Sequence, residues 1–439
     1  MNNSFAMKQI RYIFKLTLAF ISRFKGIILA SIGLGFLFFI FLRFVSPLIL
    51  AKNVQKIGLT GRYLVDKLPQ NVVGYVSNGL TEINAEGNAI PALAESWGEA
   101  DDGKTWTFHL ADNKVWQDGK AVTATTINYN FEDVAIERPD EMTLVFKLDS
   151  PFAPFPTVVS RAVFKKGLLG TGEWKVTKLS LAGSFVEKLI IQNKNGDKKI
   201  VKFYPTEERT KLAFKLGQVD EIWDLIDKEP FGSWTLVNVE EQTNYGRYVA
   251  VFFNTQGNTL ADKALRQALS YAIDKDSLGW ERALGPLSPL SWAYNPQIKP
   301  YDYDPERAKD LIENEVEVRL ITTPVLLSTA EKIANFWREV GVTTSVQVTS
   351  SLPEDYDAFL AIYDIPVDPD QYALWHSTQT ATNISRYTSP RIDKLLEDGR
   401  LELNTEKRRE IYLDFQRFLL EDAPAAFLYH PASYTISRK

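Results

Sequence analysis

The chain has 439 residues, 45% of them hydrophobic and 12% aromatic, enough to bury two substantial cores and too many for one ordinary domain. Past residue 43 it carries 44 Lys and Arg against 55 Asp and Glu, a formal charge of −11 without a basic stripe, which argues against nucleic acid as a partner because phosphate neutralisation needs clustered cations. It has no cysteine, so disulfides and thiolate metal sites are excluded.

Residues 1–25 form a basic segment expected in the cytoplasm. Gly26–Leu42 is an uncharged run of about 17 residues, roughly 25 Å as a helix, just enough to cross a hydrocarbon core if Arg43 snorkels. Residues 26–43 are therefore expected to form a transmembrane anchor. Lys8, Arg11, Lys15, Arg23 and Lys25 precede the run and Arg43 follows it, which places the N-terminus inside and the body outside the cell. The competing reading is a cleaved signal peptide, but the nearest small-residue site, Ile49-Leu50-Ala51, begins with a bulky side chain. Ile10–Phe24 reads either as a helix lying flat on the inner leaflet, with Lys8, Arg11 and Lys15 on one face, or as a plain basic flank.

After a linker over 44–62, the chain to about Val251 mixes short strands and helices, an α+β texture. Within it, Pro91–Glu132 reads as a short helix, a turn at Asp101-Asp102-Gly103, a strand alternating through Trp106, Phe108 and Leu110, a turn at Asp118-Gly119, and a helix opening at Thr123. Gly170 and Gly172 form a turn; no Gly-Lys-Ser/Thr follows to make a phosphate loop. Ala264–Leu284 reads as a helix capped by Asp262, and Asp304-Pro305-Glu306 opens another through Ile312. Then elements alternate: strand Val318–Thr322, helix Thr329–Val340 stopped by Gly341, strand Val342–Val348, strand Phe359–Tyr363, helix Thr405–Asp422 ended by Pro424, and strand Ala425–Tyr429. This rhythm predicts an α/β second lobe on a partly parallel sheet.

Three motifs carry a resemblance. P-A-L-A-E-S-W-G-E-A-D-D-G-K-T-W-T-F-H-L from Pro91, G-T-G-E-W-K-V from Gly170, and F-N followed by R-Q-A-L-S-Y-A-I-D-K around Arg266 and Asp274 closely resemble signatures of the extracellular solute-binding proteins of family 5, the peptide receptors of ABC importers. The resemblance implies two hinged lobes of periplasmic-binding-protein type, with 63–252 and 425–439 forming lobe one, 253–424 lobe two, and crossings near Ala250–Asn254 and Ala425–His430. It implies a peptide ligand, permease subunits as partners, a monomer, no cofactor and no metal. Many such receptors are tethered through a lipidated cysteine, a route closed to this chain. In the family the Arg266–Asp274 helix is structural.

For ligand contacts, the resemblance points to Ala361–Ser377. Asp364 is expected to pair with the peptide's terminal ammonium, Asp368 is the alternative, and Ile362 and Tyr363 offer backbone; Asp370 reads as a helix cap. Trp375 reads either as a pocket wall or as core, and Gln70 and Asn71 as a pre-helix loop touching peptide backbone. Only His109, His376 and His430 are available, and neither G-x-S-x-G, H-E-x-x-H nor a Walker loop occurs, so no enzyme is expected. A binding sensor or chaperone with a non-peptide ligand (nickel chelate, haem, sugar) is the runner-up, and a secreted hydrolase the third class.

Overall fold

The computed structural model describes residues 22–41, save Ile28 and Ile32, and 53–439. Contacts divide the chain into a small unit, Met1–Val54 with Asn195–Lys198, and a large one built from Gln55–Lys194 and Lys199–Lys439. In the first, Ser22–Phe41 is a helix of 20 residues with mean hydropathy 2.2, apolar and long enough to cross a membrane. Lys8, Arg11, Lys15, Arg43 and the Ile49-Leu50-Ala51 site lie outside the described residues.

The large unit holds two principal sheets. The first has seven strands in the order Val237–Thr243, Ala432–Arg438, Glu221–Leu225, Val54–Thr60, Lys198–Tyr204, Phe185–Gln192 and Lys175–Ala182. The chain's last strand is inserted antiparallel beside Glu221–Leu225, so both ends of the body meet in one sheet. Attached to it is a four-stranded antiparallel sheet, Ala94–Ala100, Thr105–Leu110, Thr143–Leu148 and Val134–Glu137, around its own core of Trp106, Phe108, Phe146 and Phe155.

Two expectations are corrected here. The stretch following Pro91 is a strand rather than a short helix, because Ala94–Ala100 pairs along its length with Thr105–Leu110 across the Asp101–Gly103 turn. No helix develops from Thr123: Thr123 and Thr126 cap each other reciprocally, closing a single 3-10 turn at Ala124–Thr126.

The second sheet has six strands in the order Glu281–Arg282, Ala425–His430, Arg247–Phe253, Ala358–Asp364, Val316–Thr322 and Val342–Val348. Val316–Thr322 and Val342–Val348 run parallel, joined by the helix Leu327–Glu339, which ends before Gly341 at φ +93°. Every residue from Tyr248 to Phe253 is fully buried, as expected for a central strand covered on both faces. Asp262 caps the helix Lys263–Tyr271, accepting from the Ala264 amide at 2.9 Å, but that helix stops far short of Leu284 because the chain turns through Asp276–Leu278 into Gly279 at φ 82°. Helix Thr405–Asp422 has the expected bounds and ends at a left-handed Ala423 before Pro424.

The chain passes between the two sheets at Asn244–Gly246 and at Pro431, and these crossings are hydrogen-bonded to each other, Asn244 N to Pro431 O at 2.9 Å. The strands Arg247–Phe253 and Ala425–His430 pair with each other inside the six-stranded sheet. Away from the crossings the two halves touch again where the Ala153 amide donates to the Arg400 carbonyl at 2.7 Å.

Candidate functional site

One arginine ties the two sheets together. Arg247 opens its strand opposite Asp364, the last residue of the neighbouring strand, and donates from Nε to Asp364 Oδ1 at 2.6 Å. Its other end reaches the seven-stranded sheet, Nη1 lying 3.1 Å and 3.0 Å from the two oxygens of Asp224. Asp224 faces it because the strand is irregular there: the pairing register shifts between Ile222 and Leu225, with Asp224 at φ 58°. Ser433 Oγ, from the returning C-terminal strand, donates to Asp224 Oδ1 at 2.9 Å. Burial alone would lower the Arg247 guanidinium, but Asp224 and Asp364 together hold it above its ordinary value. The Tyr63 phenol donates to the Thr60 carbonyl at 3.0 Å and is pushed up by burial and then by the charge of Asp224, so it stays a neutral hydroxyl.

Beside this cluster runs an open groove of about 500 Å³, lined among others by Asn71, Tyr75, Glu221, Trp223, Asp224 and Glu240. Its titratable lining is acidic apart from Tyr75. Behind the wall, the Lys199 ammonium sits 5.1 Å from the Tyr75 ring, 5.2 Å from Trp174 and 5.9 Å from Trp223. Trp223 Nε1 donates to Glu221 Oε1 at 2.6 Å.

The structure separates the three clustered acids. Asp364 keeps a side chain 81% exposed despite its bond to Arg247. Asp368 is buried, and both its oxygens are engaged by Arg408 at 2.9 and 2.5 Å. Burial would lower Arg408, but Asp368 holds it above its ordinary value. This corrects the alternative that Asp368 meets a ligand ammonium: an acid already holding a buried guanidinium with both oxygens has no acceptor to offer without stranding that charge. Asp370 accepts from the Tyr372 amide at 3.0 Å and from Arg400 at 2.9 Å; it forms a turn one residue ahead of Gln371, which is the N-cap of the helix Tyr372–Trp375, rather than capping that helix itself.

Tyr363 and Ile362 lie half-buried on the Asp364 strand, Tyr363 stacked on Tyr248 at 5.6 Å. The parallel neighbour Val316–Thr322 pairs only as far as Leu360, so on that side the backbone of Ile362 and Tyr363 has no strand beside it. Trp375 is core rather than pocket wall: it is fully buried, with Phe252 at 6.1 Å and Phe427 at 6.3 Å against its ring. Its indole Nε1, both amide atoms of Gln371 and the Tyr248 hydroxyl are buried without a partner among the described residues. Asn71 lines the acidic groove, whereas Gln70 opens onto a different cavity, about 1000 Å³, with Tyr129 and Arg161.

Sequence reasoning missed Asp224, Arg247 and Ser433, which come from three segments. The available signal was Arg247 heading the wholly apolar run Y-V-A-V-F-F, since a charge at the mouth of a buried strand must find a partner. Among the described residues no group of three or more His, Asp or Glu gathers as a metal site.

The family model "Bacterial extracellular solute-binding proteins, family 5 Middle" matches residues 88–384. The nickel-binding periplasmic protein of Escherichia coli (strain K12) is 25% identical over 441 residues, covering 81% of this chain and 83% of its own. The dipeptide-binding protein of the same organism is 24% identical over 456 residues, covering 82% and 83%. The solved structure of NikZ from Campylobacter jejuni in complex with Ni(L-His) matches with a TM-score of 0.73 at 23% identity, covering 88% of this chain and 94% of that one. The likeness is to a two-lobed fold of mixed α/β content.

Proposed function

The chain belongs to the bacterial extracellular solute-binding proteins of family 5, and from that premise we propose that it captures peptides between its lobes and delivers them to the permease of an ABC importer. In this reading the helix Ser22–Phe41 anchors a monomeric body outside the membrane. The lobes exchange chain at Asn244–Gly246 and Pro431, which act as the hinge.

The observation that carries the peptide assignment is Asp364, an exposed carboxylate at the end of a strand whose backbone edge is open beyond Leu360. A peptide laid along that edge pairs with Ile362 and Tyr363 as an added strand, and its ammonium reaches Asp364. Closing the lobes removes water from that ammonium, and an unpaired buried charge costs several kcal/mol, roughly, so a fixed carboxylate must meet it. Arg247 then holds Asp224 alone. Asn71, on the facing lobe, supplies an amide for peptide backbone.

Native mass spectrometry of the full chain, released from detergent micelles after mild purification, tests this. A retained pool of peptides that shrinks in Asp364→Asn is expected. A nickel chelate, haem or sugar retained in their place overturns the peptide assignment and moves the chain toward the other ligand classes of the fold.

A further inference from the structure

A well-formed cavity of the body lies away from the lobe junction. It occupies about 610 Å³ at one end of the seven-stranded sheet, beneath the Lys175–Ala182 and Phe185–Gln192 hairpin, and shares no lining residue with the acidic groove. Four cationic side chains line it, Arg62, Lys188, Lys202 and Arg209, against one acid, Glu187. That balance runs against a body with a formal charge of −11 past residue 43.

The bases there differ from the arginines that tie the fold together through ion pairs. Arg247, Arg282, Arg319, Arg400 and Arg408 each hold a carboxylate. No carboxylate of a described residue lies within ion-pair distance of the four cavity bases. The Arg62 guanidinium rests 5.8 Å from the Phe185 ring centroid, and Lys202 donates only to the Gln218 carbonyl at 3.1 Å. The cavity also receives Tyr204, whose hydroxyl is buried without a partner among the described residues. Burial, and then Glu187, raise that phenol, so the hydroxyl remains a donor. Phe185, Val186 and Phe203 supply apolar wall.

We propose that this cavity is a second ligand site, for an amphiphilic organic anion: a phosphate or carboxylate head held by Arg62, Lys188 and Arg209 and the Tyr204 hydroxyl, with an apolar body against Phe185 and Phe203. The volume suits a small molecule, such sites spanning roughly 300–1,000 Å³. Guanidinium pairs favour such a head because it accepts two parallel hydrogen bonds. The same head group occurs on soluble organic phosphates and on anionic lipids, and the cavity reads the shared chemistry.

The test is titration calorimetry of the full chain in a neutral detergent, with phenyl phosphate as probe and benzyl alcohol and inorganic phosphate as controls. Phenyl phosphate is expected to bind roughly tenfold or more tighter than either control, since both the charge-assisted bonds and the apolar wall contribute. Arg62→Gln and Arg209→Gln should each cost roughly tenfold in affinity. Tyr204→Phe should weaken the probe while leaving thermal stability of the unliganded chain unchanged or raised, a combination that a merely structural hydroxyl would not give. Competition by short-chain phosphatidylglycerol, but not by glycerol phosphate, assigns the site to lipid; the reverse assigns it to a soluble anion. Equal binding of phenyl phosphate and benzyl alcohol, or affinity untouched by both arginine substitutions, overturns the proposal.

Discussion

Replacing Asp368 with Asn and Asp364 with Asn should cost very different amounts of stability, although only four positions separate the two acids. Asp368 holds the Arg408 guanidinium with two hydrogen bonds of 2.9 and 2.5 Å, and the side chains are only 11% and 8% exposed. Arg408 also donates to the Gly399 carbonyl at 2.7 Å, which pins the Pro390–Leu401 helix to the Thr405–Asp422 helix. Asn cannot neutralise that buried cation, so the loss should fall in the range measured for breaking a buried pair, about 3–5 kcal/mol. Asp364 pairs with Arg247 in water, and Arg247 keeps Asp224 when Asp364 is gone, so Asp364→Asn should cost below about 1 kcal/mol. Urea denaturation of the full chain in detergent, followed by tryptophan fluorescence and by circular dichroism, measures both. The reasoning is refuted if Asp368→Asn loses less than about 1 kcal/mol, or if the two substitutions cost the same.

Other outcomes follow from the same contacts. A Cβ at Gly172 would stand 2.5 Å from the Tyr75 carbonyl, so Gly172→Ala should destabilise by about 1–3 kcal/mol and, by shifting a wall of the acidic groove, also weaken ligand binding. Arg266 donates to the carbonyls of Leu260, Ala261, Asp422 and Ala423; Arg266→Met should therefore lower the melting temperature by an amount equivalent to about 3 kcal/mol or more, while calorimetric affinity in the variant's folded fraction stays at the parent value. His430 is buried, its ring lowered below the ordinary histidine value by that burial, and its Nδ1 donates to the Arg247 carbonyl at 2.7 Å. The unfolded chain therefore binds this proton more readily than the folded one, so stability should fall as pH drops below about 6.5 toward the depressed folded value. In a pH series of melting curves, His430→Gln should flatten that part of the profile.

Much of the second lobe was legible because its elements are locally self-consistent. Val342–Val348 follows a Gly341 that can take a positive φ, and Thr405–Asp422 has a polar cap, a buried stripe and a following proline. The errors fell where local pattern and pairing disagree. Ala94–Ala100 is buried only at its first residue and half-buried at Trp97, so it lacks the alternation that marks a strand; only its hairpin partner makes it one. The Ala264–Leu284 pattern ran on past Tyr271 because Ile273 and Leu278 are core residues beyond the α-helix, Leu278 closing a separate 3-10 turn at Asp276–Leu278. In the candidate site, the Asp364 strand was readable as a short apolar run ending in acid. The Asp224–Arg247 contact was not, since it depends on a strand irregularity and on the closure of two sheets far apart in sequence.

The central claim is that Asp364 neutralises a ligand's ammonium between the lobes, and acetylation of the ligand tests it most directly. Trialanine and N-acetyl-trialanine would be titrated calorimetrically into the full chain and its Asp364→Asn variant. The account predicts that acetylation weakens binding to the parent by roughly tenfold to a hundredfold, the size of a charge-assisted contact, and that most of this difference disappears in the variant because the two changes remove the same interaction. Tight binding of both peptides to both proteins, or binding of neither peptide to the parent, would contradict it.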